Sequence, residues 1–461
     1  MHRFHPHWIG TALVLVATWL ACMGSATAGS LLCGTAGDEL VAARAGLNRE
    51  WVVQIPFDSA GWQLEHVSVG DELVVATSGD GGVHAVKTSS SSDGSPRAGS
   101  VVWSQRVGRP GGPVAPAGIG PNIVTVARDL DLYAFDVEDG SQTWYRSFGR
   151  PPAGGAVTSG DYVYEPLSGD GVMRLPVNPT VRPEPASAQR RTGRDGRTAE
   201  VEKRQKAGDP LLPVSLDAGG RVSGSPVPYQ GGVVWCTDDG IIVAVVPVES
   251  DTPSGTEWTR MEFDLGSAPA GPLVVRGPVI YAATSRGDLA RIDDVPSSES
   301  HVFSATWHVV LPQPPEGGPL VGGDTVVISL GDEGTMAFAP ETGFEKWRSC
   351  AAGNLLSVTG DRVWLIDRVG RLSSLDLATG IPSEWMCLGS FTLPIVNTVN
   401  ERLILASPDG LIVSLAPRRT TSALPPADPD TGAQDVPQDD ATSDTNEREE
   451  PAPEDTDRTE T

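Results

Sequence analysis

A chain of 461 residues with a formal net charge of −25 has room for two or three ordinary domains or for one large all-β domain. Its acidity argues against nucleic acid as a partner, because phosphate binding needs a basic face. Residues 427–461 carry 13 Asp and Glu against 2 Arg, and the body that remains is still acidic.

The N-terminus has Arg3, an apolar run Ile9–Leu20, then Ala26-Thr27-Ala28. This is the layout of a secretory signal peptide cleaved after Ala28, and the run is too short to span a bilayer. Cys22 offers lipidation as a rival, although Trp19 stands where a lipobox carries Leu. The expected compartment is the periplasm or cell envelope, with 1–28 removed, a lead at 29–45 and no membrane span. Cys33, Cys236, Cys350 and Cys387 then remain, and four cysteines allow three full pairings. Cys350 and Cys387 closely follow Trp347 and Trp385, so they are the pair to test first; the alternative is buried free thiols.

From residue 46 to 417 one pattern repeats. A Gly-rich turn precedes a β-branched run at Gly70, Gly120, Gly160, Gly232, Gly277, Gly323 and Gly360, and Asn400 opens an eighth. The step is 37 to 50 residues except once, where it is 72, and the stretch 178–208 accounts for the excess. After each landmark comes a hairpin with a large aromatic on its second strand. The clearest is Asp131 to Gly149, with Leu132–Phe135, a turn at Asp136–Gly140, and Trp144.

A period near 40 with four short strands per unit predicts an all-β, eight-bladed β-propeller of four-stranded antiparallel blades. Its rim tryptophans are Trp103, Trp144, Trp258, Trp307, Trp347 and Trp385. The third blade lacks one, and Leu212 or Val214 is expected to substitute. The eighth blade has strands b and c and no d. Arg49-Glu-Trp51-Val-Val-Gln-Ile is a d strand with nothing before it, and it is expected to close the ring by completing the last blade. Closure would remove two exposed edges.

Insertions at 87–100, 178–208, 249–256 and 296–304 all fall between strands c and d, so one face is decorated and the other compact. The third blade's insertion is Arg- and Pro-rich, and 418–461 is Pro, Asp, Glu and Thr with almost nothing apolar. Both are expected to be disordered, the second as an acidic C-terminal tail. Asp428-Pro-Asp430-Thr-Gly432 lacks the ligands and closing Glu of a calcium loop.

Tyr133-Ala-Phe-Asp136…Gly140…Trp144 and Leu375-Asp376…Thr379-Gly380…Trp385 resemble the pyrroloquinoline-quinone-type (PQQ-like) propeller repeat, Leu-x-Ala-Leu-Asp-x-x-Thr-Gly-x-x-x-Trp. The resemblance covers most of the chain. It is specific for the fold and says little about a cofactor. It implies either a secreted quinoprotein dehydrogenase or a non-enzymatic binding propeller, similar to the BamB-type factors of outer-membrane barrel assembly.

The dehydrogenase reading implies pyrroloquinoline quinone held against a disulfide between adjacent cysteines, beside Ca²⁺ and a catalytic Asp. No two cysteines here are adjacent. His66, His84, His301 and His308, the histidines after Ala28, do not lie at metal-ligand spacing. No serine-hydrolase elbow, zinc-protease motif, phosphate loop or dinucleotide fingerprint is present. The expectation is no catalytic, cofactor or metal residue. The chain is read as a monomeric scaffold for envelope proteins, with a PQQ- and Ca-dependent dehydrogenase and a small-ligand or sensor propeller as alternatives.

Charged residues gather at the b–c turns: Asp80, Arg128, Asp129, Asp170, Asp238, Asp239, Arg286, Asp288, Asp332, Glu333, Arg368 and Asp409. They would ring one mouth of the central channel as a polar docking surface. The competing reading is that Asp and Gly sit there for their turn conformations. Trp235, Trp364, Tyr164 and Tyr281 are read as one equivalent strand-b position, packing between blades.

Overall fold

The computed structural model describes residues 37–90, 96–178, 213–248, 257–296 and 301–418. The expected signal peptide, residues 29–36 of the lead, nearly all of the third-blade insertion and the acidic tail lie outside these residues.

Eight antiparallel sheets follow one another along the chain and form the propeller ring. Within each of the first seven blades every strand pairs with the next in sequence. Blade 1 has strands Leu64–Val69 (a), Leu73–Ser78 (b), Gly82–Lys87 (c) and Val101–Arg106 (d). Blade 2 spans Gly118 to Ser147, blade 3 Val157 to Asp217, blade 4 Val227 to Asp264 and blade 5 Val274 to Val310. Blades 6 and 7 span Leu320 to Ser349 and Asn354 to Cys387. In blade 8 the inner strand is reduced to one bridge, Leu393 to Ala406, beside Leu403–Ala406 and Leu411–Pro417.

A blade is covered on both sides by its neighbours, so the two-residue apolar alternation of a half-exposed sheet disappears from the middle strands. Leu73–Ser78 and Gly232–Cys236 are buried at every position. Alternation gives way to isolated anchors at the rim, where Trp144 is the only buried residue of Gln142–Ser147. The core is accordingly divided into eight apolar layers, one per seam between blades.

The ring closes through the N-terminal strand. Leu47–Gln54 pairs antiparallel with Leu411–Pro417, and Trp51 stands opposite Ser414. Glu50 bridges to Arg402 at 2.6 Å, and the Gln54 amide donates to the Asp409 carbonyl at 2.7 Å. Just before this strand, the short helix Glu39–Arg44, capped by Asp38, buries Ala42 against Met386, Leu388 and Phe391.

A recurrent clasp explains the rim tryptophans. The indole N–H of Trp51, Trp103, Trp144, Trp307 and Trp347 donates to the carbonyl just after strand c of the next blade, on Thr88, Val137, Val177, Pro340 and Leu377, at 2.8 to 3.0 Å. Four of these rings also lie on a turn glycine of that blade: Gly99, Gly140, Gly343 and Gly380. Each glycine has positive φ, and a Cβ there would fall within 2.3 to 2.7 Å of the Trp side chain. Each buried indole contributes at most about 4–6 kcal/mol, from about 150–250 Å² at about 25 cal/mol/Å².

Two of the seven expected tryptophans depart from this pattern. Trp385 is 49% exposed. Its clasp would need the c–d turn of blade 8, and that turn does not exist, because strands c and d of blade 8 come from opposite ends of the chain. Trp258 lies opposite Pro247, beyond the buried pair Ala244 and Met261, so Met261 fills the seam. The Trp258 ring reaches back to blade 3, where the Arg174 guanidinium stacks on it at 4.1 Å and Tyr162 meets it edge-on. Val214 is no substitute anchor: it is exposed opposite Arg174; Leu212 lies outside the described residues. Of the expected insertion at 296–304, Pro296 and His301 to Ser304 extend strands c and d, with Pro296 paired to His301, and 297–300 lie outside the described residues.

Candidate functional site

Strands a and b of each blade join on the same face as strands c and d. The b–c turns and the links between blades lie on the other face. The twelve charged positions singled out from the sequence are all on that other face, and most are spent on the protein itself. Asp80 is buried and accepts from Ser78 Oγ at 2.5 Å, the Gly82 N–H at 3.0 Å and Arg106 at 2.8 Å. Burial alone would raise its carboxyl, but those donors and the Arg106 charge outweigh it and hold the group below its usual range.

Arg128 is wholly buried and points into the wall, not into a mouth. Its guanidinium donates to the carbonyls of Ser78, Gly79 and Arg109, tying blade 2 to blade 1. Arg368 of blade 7 bridges Asp332 at 2.6 Å and Glu316 at 2.9 Å. Asp238 pairs with Arg221 and Asp288 with His308 and Thr284. Asp409 accepts from Ser407 within its own turn. Asp129 adopts a positive φ of 57°, as a turn residue does. That leaves Asp170, Asp239, Arg286 and Glu333 exposed and without an ion pair among the described residues. The expected ring of charge is largely a set of turn and seam locks.

The four strand-b aromatics are not equivalent. The a–b register places Tyr164, Tyr281 and Trp364 at one position, opposite Val157, Val274 and Ser357, and that position in blade 4 is Val234. Trp235 is one residue later, on the other face of its sheet, where it meets Tyr164 in the seam between blades 3 and 4. A one-residue shift in a strand reverses the face. Its N–H donates to the Ala218 carbonyl at 3.0 Å.

Sequence reasoning missed Glu165, which shares the Trp235 register position in blade 3. Both carboxyl oxygens are buried with no hydrogen-bond partner. Burial pushes the carboxyl well above its usual range. The detectable signal was a lone Glu inside the run Tyr-Val-Tyr-Glu-Pro-Leu. Among the cysteines, Cys387 is disulfide-bonded but not to Cys350, so the pair singled out from the sequence does not form. Cys236 is a buried free thiol, pushed up to about 12 by burial.

Three concavities among the described residues open on the opposite face, at the a–b turns. One of about 430 Å³ is lined by turns of blades 5 to 8, including Arg276, Gly322, Gly360 and Asn400. A second of about 750 Å³ spans blades 8, 1 and 2, and a third of about 200 Å³ spans blades 2 and 3. Among the described residues no three His, Cys, Asp or Glu side chains are grouped to hold a metal.

The chain matches the family model described as "Outer membrane protein assembly factor BamB" over residues 44–294 and 95–349. No curated protein matches it. Among solved structures it is similar to BamB from Moraxella catarrhalis, with 17% identity and a TM-score of 0.55 over 80% of this chain and 97% of that one. A computationally designed protein, Ika8, matches at 11% identity and TM-score 0.53, covering 80% and 99%. Sqt1 from Saccharomyces cerevisiae matches at 11% and 0.51, covering 79% and 98%. At such identities these likenesses carry the fold alone. The family match spans most of the propeller, and this chain belongs to the outer membrane protein assembly factor BamB family.

Proposed function

We propose that the chain is a non-catalytic propeller of the cell envelope that holds partner proteins together, in the assembly of outer-membrane proteins. The observation that supports this most is the family match across residues 44–349. The sequence features of a signal peptide at 1–28 agree with export. Among the described residues no helix is long and apolar enough to cross a membrane. In this reading the rigid ring is the functional element, and its loops and turns present the contacts.

The quinone chemistry of the quinoprotein dehydrogenases asks for a pair of adjacent cysteines, and no two cysteines of this sequence are adjacent. The test is twofold. Photo-crosslinkers placed on the two faces, in envelope fractions, should give discrete adducts with envelope proteins from one face. Pyrroloquinoline quinone with Ca²⁺ should give neither dye-linked turnover nor a thermal shift. Turnover, or the absence of any adduct from either face, would overturn the proposal.

A further inference from the structure

The three concavities share walls. Val399 lines both the 430 and the 750 Å³ spaces, and Pro121 and Asn122 line both the 750 and the 200 Å³ spaces. Together they make one trough over the a–b turns of seven successive blades, from blade 5 through blade 8 to blade 3. Its floor is backbone and small aliphatic side chains such as Val69, Ile119, Val321 and Val358. Val399 rises from it 48% exposed. A half-apolar channel floored by turns suits an extended chain better than a compact small molecule.

The walls carry a clear sign. Six carboxylates line the trough against two cations, Lys87 and Arg276. Glu72 is neutralised by Lys87 at 2.7 Å and Glu341 by Arg291 at 2.6 Å. Arg276 donates to the Val321 carbonyl. Asp71, Glu138, Asp161 and Glu401 are exposed and have no ion pair among the described residues. On the b–c face five of the twelve charged positions are held in ion pairs, and among the exposed remainder Arg286 offsets part of the acidic charge. A cleft of one sign attracts and orients a ligand of the other.

We infer that this trough docks an extended, cationic and partly apolar segment of a partner protein. The inference rests on the scaffold reading and names the face and the chemistry it would use. A fluorescein-labelled peptide alternating arginine and leucine serves as the probe, with a glutamate-leucine peptide as control. Binding should be saturable, weaken with added salt, and be absent for the acidic peptide. The variant Asp71→Asn, Glu138→Gln, Asp161→Asn, Glu401→Gln should lose about tenfold in affinity, as expected for a few exposed charge contacts. The opposite-face variant Asp170→Asn, Asp239→Asn, Glu333→Gln should change it less than about twofold.

Equal losses in both variants would mean diffuse attraction and would overturn the inference, as would no binding at all. A chain with 179–212 replaced by a short Gly-Ser linker should bind the peptide as the full chain does. A gain of about tenfold there would assign the trough to this chain's own Arg-rich segment and overturn the partner assignment. Envelope adducts from the b–c face alone would sink this inference and leave the scaffold reading standing. Quinone-dependent turnover would sink the scaffold reading instead.

Discussion

Glu165 gives the sharpest physical prediction. In the unfolded chain its carboxyl ionises near 4.5; in the folded chain burial holds the proton on. Above the unfolded value the unfolded state has therefore lost a proton that the folded state keeps, and unfolding releases it. Stability must fall as pH rises, by about 1.4 kcal/mol per pH unit, until the folded value is reached. Glu165→Gln preserves size and cannot titrate, so the difference between wild type and variant isolates this slope from the other carboxylates. Glu165→Met also removes two unsatisfied oxygens and should stabilise by about 1–3 kcal/mol even in acid, with the gap widening as pH rises. Urea unfolding followed by tryptophan fluorescence at several values between about pH 5 and pH 7 measures both effects. Parallel pH profiles for wild type and Glu165→Gln would refute the reasoning, because they would show that the carboxyl is solvated or paired.

Trp347→Ala should cost about 3–5 kcal/mol, whereas Trp385→Ala should cost under about 1 kcal/mol, and equal urea-midpoint shifts would contradict the missing-clasp explanation. Gly380→Ala should destabilise by more than about 1 kcal/mol, since its φ is +69° and its Cβ would meet the Trp347 ring at 2.3 Å; an unchanged Tm would count against the clasp geometry. Arg128→Met should destabilise by about 1–3 kcal/mol, because the carbonyls of Ser78, Gly79 and Arg109 lose the guanidinium and keep one backbone donor each, and a neutral result by calorimetry would remove Arg128 from the blade 1 to blade 2 seam.

What was legible in the sequence is what repeats. Gly-Asp turns and rim tryptophans recur because every blade must turn at one radius and clasp its neighbour, so eight blades could be read directly. The orphan strand around Trp51 was legible for the same reason, as a d strand lacking its blade. What failed to show is what depends on the neighbour. Trp385 has the motif of Trp347, and only the absent turn of blade 8 exposes it. Trp258 has the motif too, but a longer hairpin carries it past the seam. Trp235 differs from Tyr164 by one residue of register, which composition cannot reveal. The candidate face was read from charge density alone. Ion pairs, hydrogen bonds and turn geometry account for most of that charge, whereas Asp71, Asp161 and Glu401 at a–b turns and Glu138 at a c–d turn are exposed around open space.

Every assignment of face and groove depends on the ring closing through Leu47–Gln54 against Leu411–Pro417. Asn48 and Ala416 are opposed across that ladder, and opposed residues on antiparallel strands bring their Cβ atoms within about 4.5–5.5 Å, close to disulfide geometry. Peptide mapping of the oxidised Asn48→Cys, Ala416→Cys variant tests the closure directly. The closed ring predicts an intramolecular 48–416 crosslink in the monomer, with a higher Tm than the reduced form. A chain that folds yet yields no such link, or forms it only between molecules, would contradict it.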